Sequence, residues 1–227
     1  MVNIICIHTG AAPDIYGKIE SELQKRMTVP YQVSHYTDPG IIAEVSKELR
    51  VTTNAASRLL NMYSTAVNAG ADIILHICSS VGAVSDAAEK LIEMTGTKIL
   101  RIDHGMSAEA VSKYKKIAVV CTLRSTVVPS CGIVQACADE AGKEVEIQTV
   151  VADGTFGYQG KELSDRIIKA IEEQADSPEV LVFAQASMAG AAEAAAEYFG
   201  LPVLTSPEYA AQEIADLAAA IVPKKAD

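Results

Sequence analysis

Residues 73–103 read IILHICSSVGAVSDAAEKLIEMTGTKILRID, and this stretch decides the fold. A short apolar run is followed by a turn of small residues (CSSVG), an alanine- and glutamate-rich segment, and a second apolar run. Short β-branched runs bounded by turns predict buried strands, whereas the longer segment between them has the composition of a helix. The stretch therefore predicts a strand, a helix and a second strand, which is the repeating unit of a parallel sheet.

A second stretch repeats this unit. Residues 180–206 read VLVFAQASMAGAAEAAAEYFGLPVLTS, with QASMAG in place of CSSVG. A weaker likeness joins NIICIHTG at residues 3–10 to KIAVVCTLRST at residues 116–126. We therefore expect an α/β fold of two pseudo-symmetric parallel-sheet halves. The first half would comprise residues 1–105 with 207–227, and the second half residues 106–206.

The same alternation of β-branched and helix-forming segments continues along the chain. It predicts strands at residues 3–7, 32–34, 73–77, 98–102, 117–120, 144–149, 180–184 and 202–204. It predicts helices that include residues 41–49, 54–69, 84–95, 108–113, 130–141, 161–174, 188–199 and 207–221.

Composition narrows the function classes. The 227 residues are 49% apolar, which is enough to bury a large core. A formal net charge of −10 and the lack of tryptophan disfavour a nucleic-acid-binding surface, which needs basic and aromatic side chains. The opening apolar run is too short for a secretory signal, and no apolar stretch approaches the roughly 20 residues that span a bilayer. We expect a cytoplasmic protein that binds a small molecule rather than nucleic acid or a membrane.

Neither a metal site nor a nucleotide cofactor is predicted. The five cysteines are an odd number without close pairs, so reduced thiols are expected. The sequence has no CxxC, no HExxH, no GxGxxG and no GxxxxGK[ST] motif.

Ligands of open parallel sheets bind beyond the carboxyl ends of the strands. The loops that begin at Thr9, Cys78, Thr122 and Gln185 should therefore meet in one active site at the interface of the two halves. Glycines and hydroxyl residues are concentrated in these loops, as a site that grips a carboxylate requires.

Cys78 is the first candidate for chemistry, because it follows a strand and precedes a helix whose positive end would favour a thiolate. The alternative is a buried cysteine that acts as a small apolar residue. Cys121 also ends a strand, but its side chain would point away from that of Thr122. His104, in IDHGM, ends a strand and is a candidate acid, base or hydrogen-bond donor; a partly exposed loop histidine without such a role is the alternative. The remaining three cysteines are read as core residues.

Five segments resemble the aspartate/glutamate/hydantoin racemase superfamily, which also includes arylmalonate decarboxylases and maleate isomerases. They are IICIHTGAAP, HICSSVGA, IDHGM, VVCTLRSTVVPS and VFAQASMAGA, in this order. The resemblance implies two α/β halves that enclose the substrate without a cofactor. It also implies one thiol from each half on either side of the α-carbon.

Cys78 matches the first thiol of that pattern, but Gln185 stands where the second thiol is expected. An amide neither accepts nor releases a proton near neutral pH, so a symmetrical pair of thiols cannot form at these two positions. By the same resemblance, the substrate-binding residues are Thr9, Ser79, Ser80, Thr122, Thr126, Gln185 and Ser187. Serine and threonine also cap helices, which is an alternative role at the same turns.

Three functions stay open at this point. The first is a racemase- or isomerase-type enzyme that acts on the α-carbon of a small carboxylate or amino acid through Cys78. The second is a single-cysteine decarboxylase or lyase of a malonate-like acid, and the third is a carboxylate-binding protein without turnover.

Relatives are commonly homodimers, and the apolar face of predicted helix 54–69 offers an interface.

Overall fold

The computed structural model describes residues 1–10 and 13–224. Contacts divide the chain into two compact units. The first unit is Met1–Ile102 with the described part of Pro207–Asp227, and the second is Asp103–Ser206. None of the helices in the described part of the chain combines the length and hydropathy of a membrane-spanning segment.

Strands and helices alternate along the described chain, apart from one pair of successive helices. In order they are β1 (Val2–His8), α1 (Pro13–Arg26), β2 (Tyr31–Thr37), α2 (Pro39–Glu48), α3 (Thr53–Asn68), β3 (Ile73–Ile77), α4 (Gly82–Glu93), β4 (Lys98–Arg101), α5 (His104–Lys113), β5 (Lys116–Cys121), α6 (Arg124–Ala141), β6 (Glu146–Val151), α7 (Gly160–Gln174), β7 (Val180–Phe183), α8 (Ala192–Phe199), β8 (Val203–Thr205) and α9 (Ser206–Lys224). Short 3-10 turns, Ser79–Val81 and Ala186–Ala191, precede α4 and α8.

Each unit contains a four-stranded sheet, and the two sheets have the same strand order. The first is β2-β1-β3-β4 and the second is β6-β5-β7-β8, with parallel pairing throughout. Each strand of the first sheet thus has a counterpart in the second. The prediction of an α/β fold built from two repeated parallel-sheet halves is confirmed.

The alternating direction of strand side chains builds the core of each unit. In the first unit, Ile5 and Ile7 of β1 join Ile74 of β3 in a buried cluster with Leu59 of α3. In the second unit, residues of β5 and β7 pack in the same way against α7. Each fully buried Ile or Leu contributes about 1.5–3 kcal/mol to folding. Because both faces are covered, the central strands read as continuous apolar runs.

The predicted strand bounds agree with the structure to within three residues, and β3 agrees at both ends. Four helices differ clearly from the prediction. Helix α1 was not among the predicted helices, α5 begins at His104 rather than at residue 108, and α6 begins at Arg124 rather than at residue 130. Helix α8 begins at Ala192 rather than at residue 188, because residues 188–191 belong to the 3-10 turn ahead of it. Proline disfavours helix at the residue before it, yet α6 continues through Pro129. A turn closed by Thr126 N donating to Leu123 O forms ahead of the proline.

A buried histidine links β1 to β2. His8 is 2% exposed, and its Nε2 lies 2.8 Å from Nδ1 of His35. Nε2 of His35 in turn lies 3.0 Å from the Glu20 carboxylate, and the Tyr16 ring stacks on His35. Burial, with a smaller contribution from His35, lowers the pKa of His8 from 6.5 to about 3. His8 therefore remains neutral in the folded protein at all but strongly acidic pH.

This pKa predicts an acid-dependent loss of stability. Between pH 6.5 and pH 3 the unfolded chain binds a proton at His8 that the folded chain does not, so the free energy of unfolding falls as the pH falls through this range. Replacing His8 with Gln should remove this part of the pH dependence. Urea unfolding at several pH values would show it as a flatter curve for His8→Gln than for the wild type. If the free energy of unfolding depends on pH in the same way for both proteins, the lowered pKa of His8 is contradicted.

Candidate functional site

The strand order of the first sheet creates a switch point between β1 and β3. From β1 the chain passes to β2 on one side, and β3 pairs on the other side. Crevices at the carboxyl ends of such strands are the usual ligand sites of open α/β sheets. His8 pairs with Ile77 at the end of the two strands, so the next residues, Thr9 and Cys78, emerge side by side. The first unit thus brings together two of the residues that the sequence singled out.

Cys78 connects β3 to the turn ahead of α4. Its backbone is extended (φ −169°, ψ 101°), and its carbonyl oxygen accepts a hydrogen bond from Val81 N. The side chain is partly exposed, whereas Ser79 and Ser80 in the following turn are 7% and 6% exposed. Successive N–H groups at the start of a turn and helix stabilise negative charge. Cys78 is thus a partly exposed residue that packs against the apolar cluster of the first unit and precedes the positive end of helical structure.

Thr9 carries an unsatisfied hydroxyl beside Cys78. Its side chain is 1% exposed, and its Oγ1 has no hydrogen-bond partner among the described residues. Its carbonyl oxygen accepts from Ile42 N, which holds the loop against α2. A buried hydroxyl without a partner costs free energy, and a polar ligand at the switch point would satisfy it.

A buried arginine, which the sequence reasoning missed, covers the start of α4. Arg101 is 6% exposed, and its Nη1 lies 2.7 Å from an Asp86 carboxylate oxygen. Its guanidinium lies so close to Gly82 that a Cβ there would overlap it. Gly82 has φ −54°, which other residues also adopt. Glycine is therefore required here for the room that the Arg101 guanidinium occupies, not for backbone freedom. The only sequence signal for this contact is the glycine at the end of CSSVG.

We predict that Gly82→Ala destabilises the first unit. The added methyl group must displace the buried Arg101 or shift the start of α4, and such overpacking costs about 1–3 kcal/mol. Thermal unfolding followed by circular dichroism measures the effect. Gly132→Ala is the matched control, because Gly132 lies in α6 with open space around it and alanine favours a helix. Equal melting temperatures for the two variants would contradict the steric role of Gly82.

The second unit presents amide and hydroxyl groups at its corresponding switch point, between β5 and β7. Val120 pairs with Phe183, so Thr122 and Gln185 emerge side by side two residues later. Gln185 Oε1 accepts hydrogen bonds from Thr122 N at 2.7 Å and Thr122 Oγ1 at 3.1 Å. The backbone N–H can only donate, so the amide oxygen faces Thr122 and the amide nitrogen points elsewhere.

Cys78 and Gln185 occupy equivalent positions in the two units. Each follows the third strand of its sheet in chain order, and each precedes a 3-10 turn. Each also accepts a hydrogen bond at its carbonyl oxygen from the residue three positions later, Val81 or Met188. The repeat therefore extends to the local backbone around the two residues.

The other predicted ligands differ in accessibility. Thr126 is fully buried in the first turn of α6, while Ser187 is exposed in the turn ahead of α8. Ser79 and Ser80 share the Cys78 turn.

Cys121 is a poor candidate for thiolate chemistry. Its side chain is fully buried, and burial raises its pKa to about 12. Cys6 is equally buried, with its pKa also raised to about 12, and Cys137 is buried as well. Cys131, by contrast, is partly exposed, with its Sγ 3.5 Å from Thr149 Oγ1.

His104 is partly exposed and is the first residue of α5 rather than the end of a strand, because β4 stops at Arg101. The structure thus corrects the predicted position, because His104 begins a helix instead of ending a strand.

A cavity of about 390 Å³ lies elsewhere in the first unit. It is lined by the end of β2 and by α3, and it contains the Asp38–Arg58 ion pair rather than Cys78. Across residues 1–10 and 13–224, no group of three His, Cys, Asp or Glu side chains is arranged to hold a metal ion.

Comparison with known proteins points to one family. The sequence model of the Asp/Glu/Hydantoin racemase family matches residues 4–214. A sequence search of curated proteins found no match.

Several solved structures share the fold. A glutamate racemase from Bacillus anthracis has a TM-score of 0.74 at 13% identity, covering 95% of this chain and 81% of that one. An allantoin racemase from Klebsiella pneumoniae has a TM-score of 0.65 at 15% identity, with coverage of 96% and 88%. An aspartate racemase from Picrophilus torridus has a TM-score of 0.65 at 16% identity, with coverage of 96% and 95%.

Proposed function

Because the chain belongs to the Asp/Glu/hydantoin racemase family, we propose that it is a racemase- or isomerase-type enzyme that acts at the α-carbon of a small carboxylate or amino acid through the Cys78 thiol. The observation that carries the proposal is the pairing of β1 with β3, which sets a partly exposed thiol beside the unsatisfied Thr9 hydroxyl. One group can exchange a proton and the other can bind a carboxylate oxygen.

In this proposal Cys78 moves the α-proton and needs no cofactor. The thiolate takes the proton from the α-carbon, and the electron pair is delocalised into the carboxylate as an enolate. The configuration inverts when a proton from solvent or a second acid reaches the opposite face of the carbon, and the Cys78 proton is then lost to solvent. Hydrogen bonds from Thr9, Ser79 and Ser80 stabilise the added charge on the carboxylate oxygens. In the second unit, Thr122, Thr126, Gln185 and Ser187 are proposed as further substrate ligands.

Gln185 favours a second candidate, a single-thiol decarboxylase. Its amide oxygen is held by Thr122, and an amide does not exchange protons near neutral pH. In a malonate-like acid the bond to one carboxylate would break, CO₂ would leave, and the electron pair would form an enolate. Cys78 would then protonate the α-carbon and regain its proton from water. This reaction requires a proton donor on one face of the carbon only.

Replacing Cys78 with Ser should lower turnover by at least about a hundredfold, because a hydroxyl is far too weak an acid for this proton transfer. The assay incubates D- and L-aspartate, D- and L-glutamate, allantoin and phenylmalonate with the protein in D₂O and follows exchange and product by NMR. A racemase incorporates deuterium at the α-carbon, and a decarboxylase releases CO₂.

Cys131→Ser is the matched control, since Cys131 is the other partly exposed thiol and lies on α6. It should keep wild-type turnover. Full activity in folded Cys78→Ser would refute the assignment of the thiol. A raised melting temperature with an acid, without exchange or CO₂, would instead indicate a binding protein.

Gln185→Cys tests whether the reaction uses one face or two. If the chain is a racemase whose second face lies against this side chain, a thiol here should increase α-proton exchange compared with Gln185→Ser. The serine variant has nearly the same size and equally lacks the amide oxygen that Thr122 binds. Equal exchange rates in the two variants, together with CO₂ release by the wild type, would favour the single-thiol decarboxylase.

A further inference from the structure

A chain of buried side chains leads to the backbone of Cys78. His76, the fourth residue of β3, is 1% exposed, and its Nε2 lies 2.8 Å from the carbonyl oxygen of Cys78. The other ring nitrogen, Nδ1, lies 2.9 Å from the hydroxyl of Tyr63. Tyr63 belongs to α3, is 1% exposed, and is also hydrogen-bonded by the side chain of Ser85 in α4. Three elements therefore join at one residue of the candidate site.

The donor and acceptor properties of these groups determine which group donates in each hydrogen bond of the series. A carbonyl oxygen only accepts, so His76 Nε2 carries a proton and donates it to Cys78. Burial raises the pKa of the Tyr63 hydroxyl, which therefore keeps its proton. Ser85 donates to the Tyr63 oxygen, which leaves the Tyr63 proton for Nδ1 of a neutral His76. Aligned hydrogen bonds of this kind strengthen one another.

We propose that Ser85, Tyr63 and His76 are positioning residues that fix the main chain of Cys78 and thereby aim its thiol and the N–H groups of the following turn. The Cys78 carbonyl is held by two donors, His76 Nε2 and Val81 N, so the peptide plane between Cys78 and Ser79 cannot rotate freely. The inference rests on the proposed function of Cys78, but its structural part can be tested without a substrate.

Loss of the Tyr63 hydroxyl would release the histidine. The tautomer with the proton on Nδ1 would then turn an unprotonated Nε2 toward the Cys78 carbonyl, and two acceptors repel each other. Cys78 would lose one of its two anchors, and the turn that favours the thiolate would loosen. The titratable groups on the elements packed around this turn include Tyr63, His76, Asp86 and Arg101, together with the buried Asp103 just past β4 and His8, which interacts electrostatically with His76. They remain in every comparison below unless substituted.

The first measurement is the rate at which iodoacetamide alkylates Cys78 as a function of pH, with peptide mass spectrometry separating Cys78 from Cys131. His76→Gln keeps a donor near the position of Nε2, whereas His76→Asn places its amide near Nδ1 and leaves the Cys78 carbonyl without it. The quantity compared is the midpoint, the pH at which the alkylation rate of Cys78 reaches half its maximum. We expect His76→Gln to retain the wild-type midpoint. His76→Asn and Tyr63→Phe should raise it by about one pH unit. Tyr198→Phe, which removes an exposed hydroxyl bound to Glu172 on α7, is the control.

The second measurement is turnover of the substrate identified by deuterium exchange. Tyr63→Phe should lower kcat by about tenfold to a hundredfold with little change in KM, because a small misplacement of a reacting group carries a cost of this size. His76→Gln should restore most of the kcat that His76→Asn loses.

Equal alkylation midpoints for folded His76→Gln and His76→Asn would overturn the proposal. If His76→Asn does not fold, the comparison of Tyr63→Phe with Tyr198→Phe decides, and an unshifted midpoint in Tyr63→Phe overturns it. Failure of the proposed function would look different. Cys78→Ser would then keep its turnover, while the alkylation profiles would still report whether the hydrogen-bond chain holds Cys78.

Discussion

Parallel pairing of β1 with β3 is the constraint on which the candidate site of the first unit depends. Register sets His8 beside Ile77, and the two chains leave the sheet at the same edge with Thr9 next to Cys78. Among the described residues the buried Thr9 hydroxyl has no hydrogen-bond partner, and Cys78 is partly exposed. A shift of one residue in register would turn one of these side chains to the opposite face of the sheet. The apolar cluster that fixes the register, including Ile7, Ile74 and Leu59, therefore also supports the chemistry.

The second unit has the same strand order but a different set of groups at its switch point. Gln185 occupies the position equivalent to Cys78, and Thr122 holds its amide oxygen through two hydrogen bonds. Cys121, the nearby thiol, is buried, and its pKa is raised to about 12. The repeat thus preserves the backbone while changing its chemistry from a thiol to an amide. Because of this difference, membership in the family does not by itself identify the reaction that the chain catalyses.

Buried polar groups around Cys78 show how a site can be held rigid within an apolar core. Arg101 lies against Gly82 at the start of α4, and His76 donates to the Cys78 carbonyl while Tyr63 occupies its other nitrogen. Each group is almost fully buried, so each must be paired to offset its desolvation. Because these pairs lie around the turn after β3, two helices and two strands (α3, α4, β3 and β4) hold the backbone on either side of one cysteine.

The sequence by itself determined the α/β class, the repeat and the residues at the strand ends, because the period of apolar side chains and the small-residue turns are local signals. It indicated Cys78, and it also indicated that Gln185 replaces a second thiol; the substrate-binding roles of these residues stay predictions. Only the tertiary structure decided the strand order, the unpaired Thr9 hydroxyl and the partners of His76 and Arg101. Tyr63 and His76 are 13 positions apart on a helix and a strand, while Gly82 begins α4 and Arg101 ends β4, the next strand. No local pattern encodes such contacts, because they arise when helices pack on the sheet and buried polar groups find the partners that the packing leaves within reach.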